Sequence, residues 1–183
     1  MADIFVENLV LSAQLNQSLD LEKIDTALSD SSYEPDRLPA VVVHYHNPSR
    51  VVFITAQGEM VCTGSKTEED ALQALTKTKD TLKEKELIKN SAKITPELKS
   101  IVLSKKLDVS LPLASIQTRL PSDQCTYQPS TYPWLEYHES RYSMLLFSSG
   151  SIMCTGDISL EEGKEAFEKM ENTLASIGCK VTG

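Results

Sequence analysis

The chain has 183 residues, of which 40% are hydrophobic and 24% charged, and a formal net charge of -8. It is long and apolar enough for a sizeable core, shows no charged-then-apolar leader at Met1-Ala2-Asp3-Ile4, and has no apolar run near the roughly 18 residues a membrane helix needs. The expectation is an intracellular soluble protein, and because nucleic-acid affinity comes largely from neutralised phosphates, any nucleic-acid face on so acidic a body must be local.

The first apolar run, Ile4 to Leu11, alternates and is rich in β-branched residues, which predicts a strand. Leu19-Asp20-Leu21-Glu22-Lys23-Ile24, with Leu28 one turn further on, has the spacing of a short helix. Ala40 to His46, Val51 to Thr55 and Met60 to Thr63 predict three strands, separated by the turn Asn47-Pro48-Ser49 and the hairpin Gln57-Gly58. Thr67 ahead of Glu68-Glu69-Asp70 is capping-box chemistry, and it opens a long helix with Ala71, Leu72, Leu75 and Leu82 in its apolar stripe. The lysines Lys77, Lys79, Lys83 and Lys85 are interspersed with Asp80, Glu84 and Glu86, a solvated face.

The same elements then return. Gly58-Glu59-Met60-Val61-Cys62-Thr63-Gly64 recurs as Gly150-Ser151-Ile152-Met153-Cys154-Thr155-Gly156, an offset of 92 from Cys62 to Cys154, and Val10-Leu11-Ser12 recurs at that offset as Val102-Leu103-Ser104. Tyr33-Glu34-Pro35 recurs as Tyr127-Gln128-Pro129, and Pro39 with His44 as Pro133 with His138, now 94 apart, which places a small insertion before Tyr127. The second half is therefore expected to have a strand over Leu98 to Leu107, a weaker short helix over Leu111 to Leu120, a meander, and a helix opened by Ser159-Leu160-Glu161-Glu162. That helix carries Leu160, Ala166, Phe167, Met170, Leu174 and Ile177 in its apolar stripe and is capped by Gly178. Two copies are too few for a solenoid. The predicted fold class is α+β: two pseudosymmetric repeats, residues 1–90 and 91–183, forming one antiparallel sheet with helices on one side and the other face free.

Several residues that invite chemistry have a plainer reading. Cys62, Cys125, Cys154 and Cys179 lack paired CxxC spacing and read as small core residues of a reducing compartment. His44 and His46 alternate on one strand, and His138 is the repeat partner of His44, so a solvated sheet face is expected, with no metal and no cofactor. The acidic residues at the two helix starts complement the helix macrodipole and are not catalytic carboxylates, and the chain is not expected to be an enzyme.

Taken in order and twice over, the Asn8-Leu9-Val10 opening, Leu19-Asp20-Leu21, Tyr33-Glu34-Pro35, Met60-Val61-Cys62-Thr63-Gly64 with Lys66, Leu146-Phe147-Ser148-Ser149-Gly150 and Cys154-Thr155-Gly156 resemble the TATA-box-binding protein core over nearly the whole chain. The resemblance implies a saddle with helices on its convex side and a concave sheet on the DNA minor groove; this family is itself the type example of apolar wedges that kink DNA. It implies base contacts from Asn8, Thr63 and Thr155, and an apolar floor of Val10, Val61, Val102 and Met153, with the shorter Ser100 at the position of a second asparagine. It places wedges at Leu38, Thr55, Tyr132 and Phe147, and only Phe147 keeps the family's phenylalanine. An asymmetric saddle follows, kinking DNA less sharply at its first half.

By the same resemblance Arg37, Lys66, Arg50 and Arg141 face phosphates. Glu59 and Ser151 replace lysines, His44 and His138 replace arginines, and Glu136 adds a negative charge. The turn Gln128-Pro129-Ser130-Thr131 lacks the carboxylates with which the family docks transcription factor B, whereas the first-half turn keeps Glu34 and Asp36. The second-half turn between His138 and Tyr142 is two residues shorter than the family's. The implied function is a general initiation factor that binds and bends A·T-rich promoter DNA and recruits factor B and RNA polymerase. The alternative is a paralogue that keeps the fold as a protein-interaction module and binds DNA poorly, as Thr55, Glu59, Ser100, Ser151 and the net charge suggest. The acidic balance leans archaeal, which implies a nucleoid location in the cytoplasm, or a nuclear one if the source is eukaryotic. A free apolar sheet face also makes a homodimer of the unbound protein an expectation.

Overall fold

The computed structural model describes residues 3–89 and 93–180. In chain order it contains β1 (Ile4–Gln14), α1 (Leu21–Ala27), β2 (Ser31–Ser32), β3 (Ala40–Tyr45), β4 (Arg50–Thr55), β5 (Glu59–Ser65) and α2 (Glu68–Glu84). There follow β6 (Glu97–Lys106), α3 (Leu113–Arg119), β7 (Cys125–Tyr127), β8 (Trp134–His138), β9 (Tyr142–Phe147), β10 (Ser151–Gly156) and α4 (Leu160–Ser176). The chain divides into two compact units, Asn8–Lys99, and Met1–Glu7 with Ser100–Gly183.

In the first unit the strands run antiparallel in the order β2-β3-β4-β5-β1. Alternation decides which side chain faces the core: Val52, Ile54, Met60 and Cys62 are fully buried, while Val51, Phe53, Val61 and Thr63 between them are half-buried. Helix α2 packs on the buried side, on β4 and β5, through Ala71, Ala74, Leu75 and Leu82, all fully buried. Burying a leucine or isoleucine contributes about 1.5–3 kcal/mol, so this layer is where the stability of the unit resides. The second unit repeats the plan in the order β6-β10-β9-β8-β7. Leu135, Met144, Leu146, Ile152 and Cys154 are buried on one side together with Phe167 and Leu174 of α4.

Hydrogen bonds repeat with the sequence. Leu15 N donates to Gly58 O at 2.8 Å and Leu107 N to Gly150 O at 2.9 Å; Leu19 N to Ala56 O and Leu111 N to Ser148 O are both 2.9 Å. These bonds draw the segment after β1 or β6 over the hairpin, and the hairpin residue must be glycine. Gly58 and Gly150 have φ of +88° and +93°, and a Cβ on either would collide with the carbonyl of Gln17 or Val109. The 92-residue register still holds at Leu28 N to Ile24 O and Leu120 N to Ile116 O, and has become 94 at His44 N to Asp30 O and His138 N to Gln124 O. The insertion therefore lies in the turn after Leu120, which Gln124 N closes onto Pro121 O at 3.1 Å. The register returns to 92 at the next hairpin, where His44 faces Val51 but His138 faces Ser143, so the second-half turn is two residues shorter than the first.

Strands β2 and β7 have no counterpart among the elements expected from the sequence. Both are edge strands of two or three residues, too short to show alternation. Cys62 and Cys154 are fully buried as expected, and burial pushes both thiols up, Cys154 to about 11. Cys125 and Cys179 are only half-buried, and all four are free thiols. Among the described residues, no helix is long and apolar enough to cross a membrane.

Candidate nucleic-acid interface

In the first unit the sheet face away from the helices carries Asn8 and Val10 on β1, Val61 and Thr63 on β5, Val51, Phe53 and Thr55 on β4, and Val42 on β3, all half-buried. The ladder lays Phe53 between Val42 and Val61, and Thr63 opposite Val51. The face is thus apolar except at Thr55, at the end of β4, and where β1 and β5 meet. There Asn8 Nδ2 donates to Thr63 Oγ1 at 3.2 Å, and Gly64 N donates to Asn8 Oδ1 at 2.8 Å. One lone pair of the Asn8 carbonyl is thereby used, while one Nδ2 hydrogen and the Thr63 hydroxyl proton remain free to donate. A·T pairs present only acceptors in the minor groove, adenine N3 and thymine O2, whereas guanine adds a donor. The pair accordingly offers two donors of the kind that A·T edges can accept.

The second unit places Ser100, Val102 and Ser104 on β6, Met153 and Thr155 on β10, Ser143, Leu145 and Phe147 on β9, and Trp134 and Glu136 on β8, again half-buried. Thr155 pairs with Val102 on one side and Ser143 on the other, and Met153 with Ser104 and Leu145. Ser100 lies two residues before Val102 on this face. The floor residues Val10 and Val61 fall on the first face, and Val102 and Met153 on the second.

Of the expected wedge positions, Leu38 and Tyr132 are formed by matching turns, and Thr55 and Phe147 end β4 and β9. Leu38 N and Tyr132 N each donate at 2.9 Å, to Glu34 O and Gln128 O, and leave side chains 38% and 46% exposed. Tyr132 is therefore not a core aromatic, and Phe147 is half-buried on the sheet face. Thr55 is half-buried, and its Oγ1 accepts from Glu59 N at 3.2 Å, so its hydroxyl is engaged in the hairpin. Two aromatic residues escaped the sequence reading. Phe53 joins the floor beside Val61, and strand alternation would have signalled it. Trp134 sits opposite Phe147, with ring centroids 5.0 Å from Tyr132 and 5.9 Å from Phe147. The 94-residue register sets Trp134 against Ala40, and that exchange was the signal available.

The cations do not all stand where they were expected. Arg37 and Lys66 are exposed, with Arg37 3.7 Å from Glu34. Arg50 is not a phosphate contact: it is buried, its Nη1 donates to Asp70 O at 2.9 Å, and its guanidinium lies 5.8 Å from the Tyr45 ring centroid. Arg141 is engaged by Glu162 at 2.8 Å and by Asp157 O at 2.7 Å. Both arginines fasten the start of a long helix to its sheet. Glu136 Oε1 lies 3.5 Å from His138 Nδ1, which is 3.2 Å from Ser143 Oγ, and His46 Nε2 is 2.9 Å from Asp30. Among the described residues no group of three His, Cys, Asp or Glu side chains is arranged to hold a metal.

Comparison with known proteins agrees with this geometry. The profile of the family described as "Transcription factor TFIID (or TATA-binding protein, TBP)" matches residues 3–85 and again 95–177. The TATA-box-binding protein of Archaeoglobus fulgidus is 35% identical over 179 residues, 96% of each chain, and that of Picrophilus torridus is 32% identical over 182 residues, 97% of each. The solved structure of Methanococcus jannaschii TBP superposes with a TM-score of 0.83 at 28% identity, covering 95% of this chain and 99% of that one. The α+β two-repeat fold expected from the sequence is the fold observed, and these relatives are transcription factors rather than enzymes. The chain belongs to the TATA-binding protein family of transcription factors.

Proposed function

We propose that this protein is a general transcription initiation factor that binds A·T-rich promoter DNA through the minor groove, bends it, and thereby recruits a factor B-like protein and RNA polymerase within the cell. The observation that carries the reading is the Asn8–Thr63 pair, whose free donors face outward beside the apolar residues Val10, Val51, Phe53 and Val61. A face used only for protein contact has no need of donors so placed. Val10, Val61, Val102 and Met153 supply apolar contact to the groove floor, Thr155 and Ser100 the second repeat's polar contacts, and Arg37 and Lys66 the phosphate contacts. Leu38, Tyr132 and Phe147 supply wedges for the deformable TA steps, and Thr55 marks the weaker one. Factor B docking is directed to surfaces other than the carboxylate-free turn 128–131.

The test is equilibrium binding and end-to-end FRET on a labelled TATA duplex and a scrambled one. Preference for the TATA duplex with a shortened end-to-end distance is expected. Phe147→Ala should lose most of the shortening, and Thr63→Val should weaken binding by about 1 kcal/mol with reduced A·T preference. Equal binding to both duplexes, without bending even at low salt, would remove DNA recognition from the protein.

A further inference from the structure

The wedge equipment of the two repeats differs by more than the exchange of single side chains. In the first, the turn residue, the strand residue two places later and the strand-end residue are Leu38, Ala40 and Thr55, with Ala40 buried and paired with Thr55. In the second, the corresponding trio is Tyr132, Trp134 and Phe147, with Trp134 paired with Phe147. Trp134 is tilted by 33° to Tyr132 and 52° to Phe147 at centroid separations inside the range of favourable aromatic pairs. The floor of the trio is fixed, since Leu135 and Leu146 next to it in sequence are fully buried.

Building on the DNA-binding reading, we propose that Trp134 is a positioning residue that joins Tyr132 and Phe147 into one three-ring wedge. The two outer rings are separate in sequence and arise from a turn and a strand end. Left alone, each would have to be ordered by the DNA, at an entropic cost to binding; the indole between them orders both beforehand. The joined rings also present a continuous aromatic ledge, and unstacked bases are stabilised on such surfaces. The ledge concentrates kinking at the second repeat, where it compensates for the small Thr55 of the first.

Trp134 is the chain's one tryptophan, so its emission reports on this wedge directly. The test combines wild type, Trp134→Ala and Trp134→Phe in three measurements: indole emission during titration with a TATA duplex, affinity and FRET bending on that duplex, and thermal unfolding of the free proteins. The expected results are quenching of wild-type emission by the TATA duplex and not by the scrambled one, roughly tenfold weaker binding with reduced bending for Trp134→Ala, and recovery to within about threefold for Trp134→Phe. The recovery distinguishes ring positioning from general stability, as does Trp134→Ala binding measured well below its melting temperature. Normal affinity and bending in Trp134→Ala, or unchanged emission on a duplex that wild type demonstrably bends, overturns the three-ring wedge and leaves the DNA-binding reading standing. Failure of wild type to bend any duplex overturns that reading and the wedge with it.

Discussion

Glu86 occupies a backbone conformation better suited to glycine. Helix α4 ends with Gly178 at φ +95°, its N–H donating to Ala175 O at 3.1 Å while Cys179 N reaches Leu174 O at 2.9 Å. This is the paired-bond ending in which one left-handed residue lets the chain satisfy the last carbonyls. Helix α2 ends with the same two bonds, Glu86 N to Lys83 O at 3.0 Å and Leu87 N to Leu82 O at 2.8 Å, but the left-handed residue, at φ +56°, is Glu86. Holding a side chain there costs about 1–2 kcal/mol, and glycine's extra freedom in the unfolded chain returns about 0.4–1 kcal/mol of that. Glu86→Gly should therefore stabilise the protein by about 0.5 kcal/mol. A higher urea midpoint at unchanged m-value would show it, and an unchanged or lower midpoint would count against the strain.

At the scale of elements, the start of α4 ties helix to sheet through one glutamate. Ser159 Oγ accepts from Glu162 N at 3.1 Å, Glu162 Oε2 accepts from Ser159 N at 2.7 Å, and Glu162 Oε1 meets Arg141 at 2.8 Å. The backbone hydrogen bond from Ser159, and then Arg141, hold the Glu162 carboxyl below the usual glutamate range. A lowered native pKa makes the unfolded chain the better proton binder. The contribution is present in full above the ordinary glutamate pKa and is lost as pH falls through the lower native value. Ser159→Ala should cost about 1 kcal/mol at neutral pH, and Glu162→Gln should flatten the acid limb of stability against pH; an identical acid limb in the variant would remove Glu162 from it. Such caps were legible in the sequence because they use few residue types at fixed spacing, although at α2 only half of the expected box forms, with Thr67 Oγ1 accepting from Asp70 N at 3.1 Å. Strands β3, β4 and β5 were legible as apolar, β-branched runs bounded by the turns Asn47-Pro48-Ser49 and Gln57-Gly58, whereas the shared face of Val61, Thr63, Met153 and Thr155 was legible through the family resemblance. Arg50 was not: an arginine beside a strand looks like a free cation until the Asp70 carbonyl and the Tyr45 ring are seen to enclose it. Trp134 was missed because a strand aromatic has two possible faces, and only its register with Phe147 decides between them.

For the whole molecule, the proposed DNA binding requires a chain of net charge -8 to hold a polyanion. With Arg50 buried and Arg141 engaged, the expected phosphate contacts reduce to Arg37 and Lys66, and Arg37 already neighbours Glu34. Counterion release should then be small, and the binding constant should fall with salt less steeply than for a more basic member of the family. Apolar contact and aromatic stacking must carry more of the affinity, which is consistent with the aromatic residues gathered on the second repeat. The residues after the hairpin glycines test this balance, because Glu59 and Ser151 hold equivalent strand-start positions in the two repeats. Glu59→Lys and Ser151→Lys should each steepen the slope of log K against log salt by about 0.9 and tighten binding at low salt. The double variant should show the sum, since the two sites lie in different units. Glu59→Lys also removes a repulsive charge, so its low-salt gain should exceed that of Ser151→Lys although their slopes match. Slopes that stay at the wild-type value in both variants would mean that neither hairpin approaches the phosphates, and the DNA would then have to lie elsewhere on the protein.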